Sequence, residues 1–509
     1  MEEPAVWPSP DYHQKRDGPH AGLPTGQFKL VRRGSLQPLQ RPAVSSPTKL
    51  NQLMQYNTNV DEVHCKQTNK QTNKQHQIMK TLKIIPLLVF TILSLFSCDN
   101  KPKQITKTTD YNKYLKVKDN KSMTFANNEI DFWQKKFDAA PNQISYLSMI
   151  ASNYATLFEY TGNIKYLYKT ESLLTLSNTT YKYSKVSTIR SLARNYIAQH
   201  RFKEALGLAT AALTIGEGKK ETQKLLFDVQ MELGNYREAL KNLNAMPDMK
   251  DYDYLIRLAK WNDHKGDLKT AITFMEKARD IAEKEDNKVL KIWSYSNLGD
   301  FYGHAGRIQE SYDSYLKTLA IDPNYSYALK GISWIVFSHE RNTAEAKRIV
   351  EAIAVTHNTP DFYLLKSQIA QFEGNKAKEV ENRNAYFAML KDNNYGAMYN
   401  KYNVLIYADA KETAPKALEI AKVEVDHRPT PDSYDLLAWS YLNSGQNKKA
   451  LEIAQKYVVG KSFEPKVQYH LAMIYKSNKE TEKVQPIKEE LLASIYELGP
   501  NLDKKINQL

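Results

Sequence analysis

An all-α solenoid is the fold class that this 509-residue chain predicts, and three recurring features carry the expectation. The spacing Leu298-Gly299-x-x-Tyr302 returns as Leu192-Ala193-x-x-Tyr196, Leu437-Ala438-x-x-Tyr441 and Leu471-Ala472-x-x-Tyr475. A glycine follows at the same offset in Gly306 and Gly445, with weaker copies around Gly234, Gly266 and Gly374. A small residue then opens the next segment, at Ala205, Ala239, Ala271 and Ala450.

Each feature has a mechanical reading. Positions i, i+1 and i+4 share one helix face, so Leu298, Gly299 and Tyr302 set a large, a small and a large group against a neighbour. The small residues on both helices let the two axes come close. Glycine takes the left-handed conformation where a first helix must stop, and Pro323 ends a second helix by removing an N–H donor. One such pair cannot bury its apolar face alone, so pairs must stack. Units begin near Ile150, Val186, Lys220, Tyr252, Ile292, Tyr327, Pro360, Met398, Pro431 and Pro465, mostly 32 to 36 residues apart. The 40-residue step from Tyr252 places an extension around Glu283-Lys284-Glu285-Asp286, and the step from Pro360 is also long. Pro486 falls in the last second helix and predicts a bend or restart there.

The pattern resembles the tetratricopeptide repeat, a helix–turn–helix of about 34 residues. The resemblance implies a right-handed superhelix of about ten repeats over residues 129–495, followed by a capping helix at 496–509. It also implies a concave groove lined by the first helix of each repeat. The 33 tyrosines, against 16 Phe and 6 Trp, fit a tyrosine that recurs at one repeat position.

Residues 1–78 lack this period. They hold eight of the 20 prolines (Pro4, Pro8, Pro10, Pro19, Pro24, Pro38, Pro42, Pro47) and the tract Gln67-Thr68-Asn69-Lys70-Gln71-Thr72-Asn73-Lys74. With so little to bury, such a segment cannot offset the entropy of ordering. Residues 79–97 then read as a signal peptide: Lys80 and Lys83, an apolar run, and a small residue at the end. The run Leu82–Phe96 would span only about 22 Å as a helix, short of the ~30 Å of a hydrocarbon core. Leu95-Phe96-Ser97-Cys98 resembles the lipobox of bacterial lipoproteins, which implies cleavage before Cys98 and a diacylglycerol on its sulfur. A signal peptide acts at an N-terminus, so Met79 is the expected start and 1–78 an expected mis-assigned extension. Residues 98–128, rich in Lys, Asn and Thr, read as a tether. The chain carries 71 basic and 57 acidic residues; residues 1–97 contribute 12 and 6, leaving 59 − 51 = +8 for the remainder.

The sequence offers no catalytic constellation. It has no phosphate-cradling glycine loop, no H-E-x-x-H and no G-x-S-x-G elbow. The two cysteines exclude a disulfide framework and a cysteine-rich metal site. His200, His264, His304, His339, His357, His427 and His470 are scattered about one per repeat, without ligand pairs. The expectation is a non-enzyme without cofactor or metal. Function should lie on the groove, where Arg190 and Arg194 stand one turn apart and Lys224 and Lys260 follow in the next units. These four suggest an anionic-peptide groove; a merely solvated helix face is the plain alternative. Trp293 and Trp439 take outward groove positions and could stack on a peptide or a sugar ring, with core packing as the alternative. The excess charge is diffuse, so no nucleic acid is expected. Together these readings describe a lipid-anchored scaffold of a Gram-negative envelope, similar to lipoproteins of the Bacteroidota. It would sit in the outer membrane facing the periplasm and bind a protein or peptide. A glycan-binding lipoprotein of a nutrient-uptake system is the second reading.

Overall fold

Helices follow the apolar period from Ser145 to Ala493. The computed structural model describes residues 103–116 and 119–509, and there the chain forms ten helix pairs and no strand. Repeats 1 to 5 are Ser145–Thr161 with Lys165–Thr180, Val186–Ala198 with Phe202–Ile215, Lys219–Glu232 with Tyr236–Asn244, Tyr252–His264 with Leu268–Lys284, and Lys288–His304 with Ile308–Ile321. Repeat 6 pairs Ser326–Trp334, prolonged by a π-helical turn at Ile335–His339, with Thr343–Ala354. Repeats 7 to 10 are Pro360–Phe372 with Lys376–Asn393, Asn400–Ala408 with Ala414–His427, Pro431–Asn443 with Asn447–Tyr457, and Pro465–Ser477 with Val484–Ala493. Nine of the ten expected starting points fall within a first helix, and Met398 lies two residues before one. The extension expected near Glu283 is the long second helix of repeat 4. Pro486 sits in the first turn of the last second helix, which restarts after a 3-10 turn at Thr481–Lys483. The extension 1–78, the signal peptide 79–97 and Cys98 lie outside the described residues.

Packing inside a pair depends on the small positions. The ring of Tyr315, fully buried, lies between Gly299 and Gly331, where an added β-carbon would come within 2.5 Å and 2.3 Å of it. Its hydroxyl donates to Asp300 at 2.6 Å. The recurrent tyrosines have a second partner. A cation lies over each ring: Arg201 over Tyr196 at 4.0 Å, Arg307 over Tyr302 at 4.2 Å, Lys449 over Tyr441 at 4.9 Å and Lys483 over Tyr475 at 5.0 Å. Each such contact contributes about 0.5–1 kcal/mol at an exposed site.

The pairs wind so that each of the first four repeats meets the one six further on, or the loop that leads into it. The turn at Gly162 in repeat 1 lies against His357 and Thr359 before repeat 7. Gly234 of repeat 3 lies against Pro429 and Thr430 before repeat 9, and Gly266 of repeat 4 against Phe463 before repeat 10. Polar bonds close the same seam. Arg428 reaches Glu232 at 2.7 Å, and the His357 imidazole meets the Tyr160 carbonyl at 3.1 Å. At its far end, Tyr496 packs on Gly303 of repeat 5, and its carbonyl accepts from Trp334 Nε1 at 3.1 Å.

The stretch expected as a tether over 98–128 is structured in its described part, which corrects that expectation. Thr108–Leu115 and Lys121–Ala139 are helical, and the latter packs on the first helix of repeat 1. The earlier piece crosses to repeat 6. The amides of Ile105 and Thr106 donate to Glu340 Oε1 at 2.8 Å and 2.6 Å, and Thr106 Oγ1 donates to Oε2 at 3.0 Å. Tyr111, fully buried, donates to Glu345 at 2.6 Å, and Arg348 donates to Asn112 at 2.5 Å. Buried aromatic area and a doubly used carboxylate outweigh the Lys-, Asn- and Thr-rich composition that suggested a free linker. The capping helix expected at 496–509 is Pro500–Asn507.

Two measurements check this packing. Gly299→Ala should destabilise the fold by about 1–3 kcal/mol in chemical denaturation because Tyr315 cannot move away. Gly207→Ala, in the middle of a helix with nothing within 4 Å, should be neutral or stabilising by up to about 1 kcal/mol. Glu340→Ala should speed hydrogen exchange at the amides of Ile105 and Thr106 without altering exchange in repeats 2 to 4.

Candidate binding face of the first helices

Consecutive first helices place equivalent positions side by side, about one repeat apart in sequence. On repeats 3 and 4 this brings charges together in a ladder. Lys224 Nζ lies 2.8 Å from Asp253 and 3.2 Å from Asp251. Arg257, 3% exposed, bonds Asp228 at 2.6 Å and the carbonyls of Asp253 and Lys224 at 2.9 Å and 3.2 Å. Lys260 bonds Glu232 at 2.8 Å, and Glu232 also receives Arg428 from the next winding. Burial penalises each charge, and the paired partners offset that penalty.

The six groove residues expected from sequence divide accordingly. Arg190 turns toward the loop before repeat 3 and donates to the carbonyls of Glu217 and Gly218 and to Thr222 Oγ1, at 3.2–3.3 Å. Arg194 is half-buried on the same helix. Lys224 is buried and Lys260 half-buried, and both are ion-paired, so neither offers an uncompensated positive charge. Two of the four cations expected in an anionic-peptide groove are thus compensated by carboxylates, and on repeats 3 and 4 the face carries alternating, fixed charges. Trp293 is half-buried, edge-on to Tyr252 at 6.2 Å. Trp439 stacks on His470 at 4.0 Å and 14°. The two tryptophans pack with different apolar clusters, one in repeats 4 and 5 and the other in repeats 8 to 10. They do not form one aromatic pocket.

The ladder's key member, Arg257, was missed from sequence. Its signal was present: it stands 33 residues after Lys224, at the equivalent position of the next first helix. The same holds for His470, whose Nδ1 lies 2.7 Å from Asp435 Oδ2 on the preceding first helix. Burial pushes the His470 imidazole below its ordinary value.

Other ionisable groups are buried or half-buried between the helices. Tyr160 donates to Asp322 at 2.5 Å, and Tyr315 and Tyr327 both donate to Asp300 at 2.6 Å. Burial beside Asp322 raises the Glu159 carboxyl to about 7, and burial raises Asp263 to about 6. Burial lowers the Lys466 ammonium to about 8. Between repeats 1 and 2 and the loop that joins repeats 7 and 8 lies a cavity of about 240 Å³ lined by Ile164, Tyr168, Gln199, Arg201, Tyr395 and Met398 among others.

The fold is a tetratricopeptide-like helical repeat. No protein-family model matches this chain, and no curated protein matches it. Solved structures that align include a human IFIT1 dimer with m7Gppp-AAAA and a monomeric IFIT1 mutant with Gppp-AAAA. They are 17% and 16% identical, cover 64% of this chain and 80% and 81% of theirs, each with a TM-score of 0.37. The capped RNA belongs to those proteins.

Glu159 gives a pH prediction with a definite sign. A carboxyl raised from 4.5 to about 7 in the fold binds more protons folded than unfolded across that window. Its contribution is therefore present below pH about 4.5 and lost as pH rises through about 7. Glu159→Gln should remove up to about 3 kcal/mol of this fall in stability, read from denaturation midpoints at pH about 5 and about 8.

Proposed function

We propose that this chain is a non-catalytic scaffold of a bacterial envelope, anchored by lipid on Cys98, whose first-helix face receives a protein or peptide partner. The ion-paired ladder on repeats 3 and 4 carries the binding part of this reading. Its partly exposed members, Asp228, Asp251, Asp253 and Lys260, are held in place by buried partners on adjacent helices, which suits a surface that reads a partner's polar groups by position. Preordered side chains also lose little entropy on binding. The anchoring part rests on Leu95-Phe96-Ser97-Cys98 following an apolar run. Outer-membrane attachment facing the periplasm belongs to the same reading. The glycan alternative needs several aromatic rings in one pocket, and the separate surroundings of Trp293 and Trp439 do not favour it.

Two experiments test the parts separately. In the native host, Cys98→Ala should shift the protein from the membrane fraction to the soluble fraction by at least about ten-fold; an unchanged distribution would refute the anchor. Photo-cross-linkers placed at Arg194 and Asn297, on first helices, should yield protein adducts that a cross-linker at Thr210, on an exposed second-helix face, does not. Equal capture from all three positions, or adducts only with glycan, would refute the binding face.

A further inference from the structure

We propose that copies of this chain associate head to tail, the open turns in the second winding of one copy seating on the exposed loops in the first winding of another. The two windings of a single chain already make this contact, and each leaves one half of it open.

The contact has two halves. One is the turn inside a repeat, closed by a glycine at positive φ: +65° at Gly162, +71° at Gly234 and +77° at Gly266. The other is the loop that leads into a first helix, at one to three residues before it: His357 and Thr359, Pro429 and Thr430, and Phe463. A β-carbon on the three glycines would come within 2.0, 2.8 and 2.7 Å of Thr359, Pro429 and Phe463. Only a residue without a side chain allows that approach. Ion pairs flank it, Arg428 with Glu232 at 2.7 Å and Lys203 with Asp426 at 3.3 Å.

Both halves recur at the two ends of the superhelix. In the second winding, Gly374 and Gly445 take the same conformation, with φ +72° and +77°, and nothing lies within 4 Å of an added β-carbon. In the first winding, the entries to repeats 2, 3, 4 and 5 carry Tyr183, Ile215, Met249 and Val289, which are 42%, 45%, 51% and 38% exposed. An exposed apolar side chain at four successive entries is a stripe, not a scatter of single residues, and marks an association surface. Tyr183 and Met249 each stand three residues before a first helix, as His357 does in the contact within the chain.

Spacing selects a second copy as the occupant. The open glycine turns belong to repeats 7 and 9, and Tyr183 and Met249 lead into repeats 2 and 4. Both pairs are two repeats apart, so Gly374 can seat on Tyr183 while Gly445 seats on Met249. Phe372, exposed two residues before Gly374, adds apolar surface to the seating half. The two halves lie on different surfaces of the chain, so the association is heterologous and does not close at a dimer. It uses neither Cys98 nor the ladder of Lys224 and Arg257, and so stands or falls apart from the function proposed above.

Sedimentation velocity of the full chain carrying Cys98→Ala reads the association. The weight-average mass should rise from the 58.6 kDa of one chain to beyond twice that value between about 1 and about 100 μM. Ile215→Glu with Met249→Glu removes the receiving half. Ala377→Glu with Gln446→Glu, beside the two open turns, removes the seating half. All four positions are exposed, so the fold should hold, which the thermal midpoint checks. Each double variant alone should stay monomeric, because every copy lacks one half. Mixed in equal amounts, the two should form a dimer and nothing larger, since a single productive pair of surfaces remains. A photo-cross-linker at Met249 of the Cys98→Ala chain should attach to residues 443–447 of a second copy. A chain that stays monomeric throughout, an association that either double variant leaves intact, folded variants that do not complement each other, or adducts elsewhere would overturn the proposal.

Discussion

The contact between a turn and the repeat six places later is the constraint on which the rest of this structure depends. At Gly266 a side chain would collide with Phe463, and at Gly234 with the backbone of Pro429. The backbone also needs a positive φ at both positions, +77° and +71°. One residue type thus ends the helix and makes room for the second winding. With that approach fixed, Arg428 can reach Glu232, and the inner surface becomes a lining of paired side chains in place of an open trough.

This geometry explains which features could be read from the amino-acid order. Pairs of helices were legible because their spacing is local: Leu298, Gly299 and Tyr302 lie within one turn or so of each other. The windings were not, because the residues that meet across them, such as Glu232 and Arg428, belong to loops and helix ends without a shared period. The strap at 103–115 was hidden for a different reason. Its composition is polar, and a single buried ring, Tyr111, with a carboxylate that accepts two amides carries the attachment. Composition averages over such details.

The candidate site shows the same division. The six candidate residues lie on first helices, as their spacing implies, yet the state of each charge was not legible, because pairing depends on the neighbouring repeat. Lys224 looks like an exposed cation when its own helix is considered and becomes a buried ion-pair member once Asp251 and Asp253 are placed beside it. Arg257 and His470 show that the useful signal was a charge at the same position in consecutive units. Trp439 follows suit, since the imidazole on which it stacks comes from the following repeat.

The strap also sets an order of assembly. Its seat is built from Glu340, Glu345 and Arg348, more than two hundred residues downstream, so an emerging chain exposes Tyr111 long before its receptor exists. Short-range pairing of helices can proceed as each repeat appears, whereas this closure must wait for repeat 6, the last of the first winding. A segment made before the first repeat is therefore fastened only once six repeats have emerged, while four more are still to come.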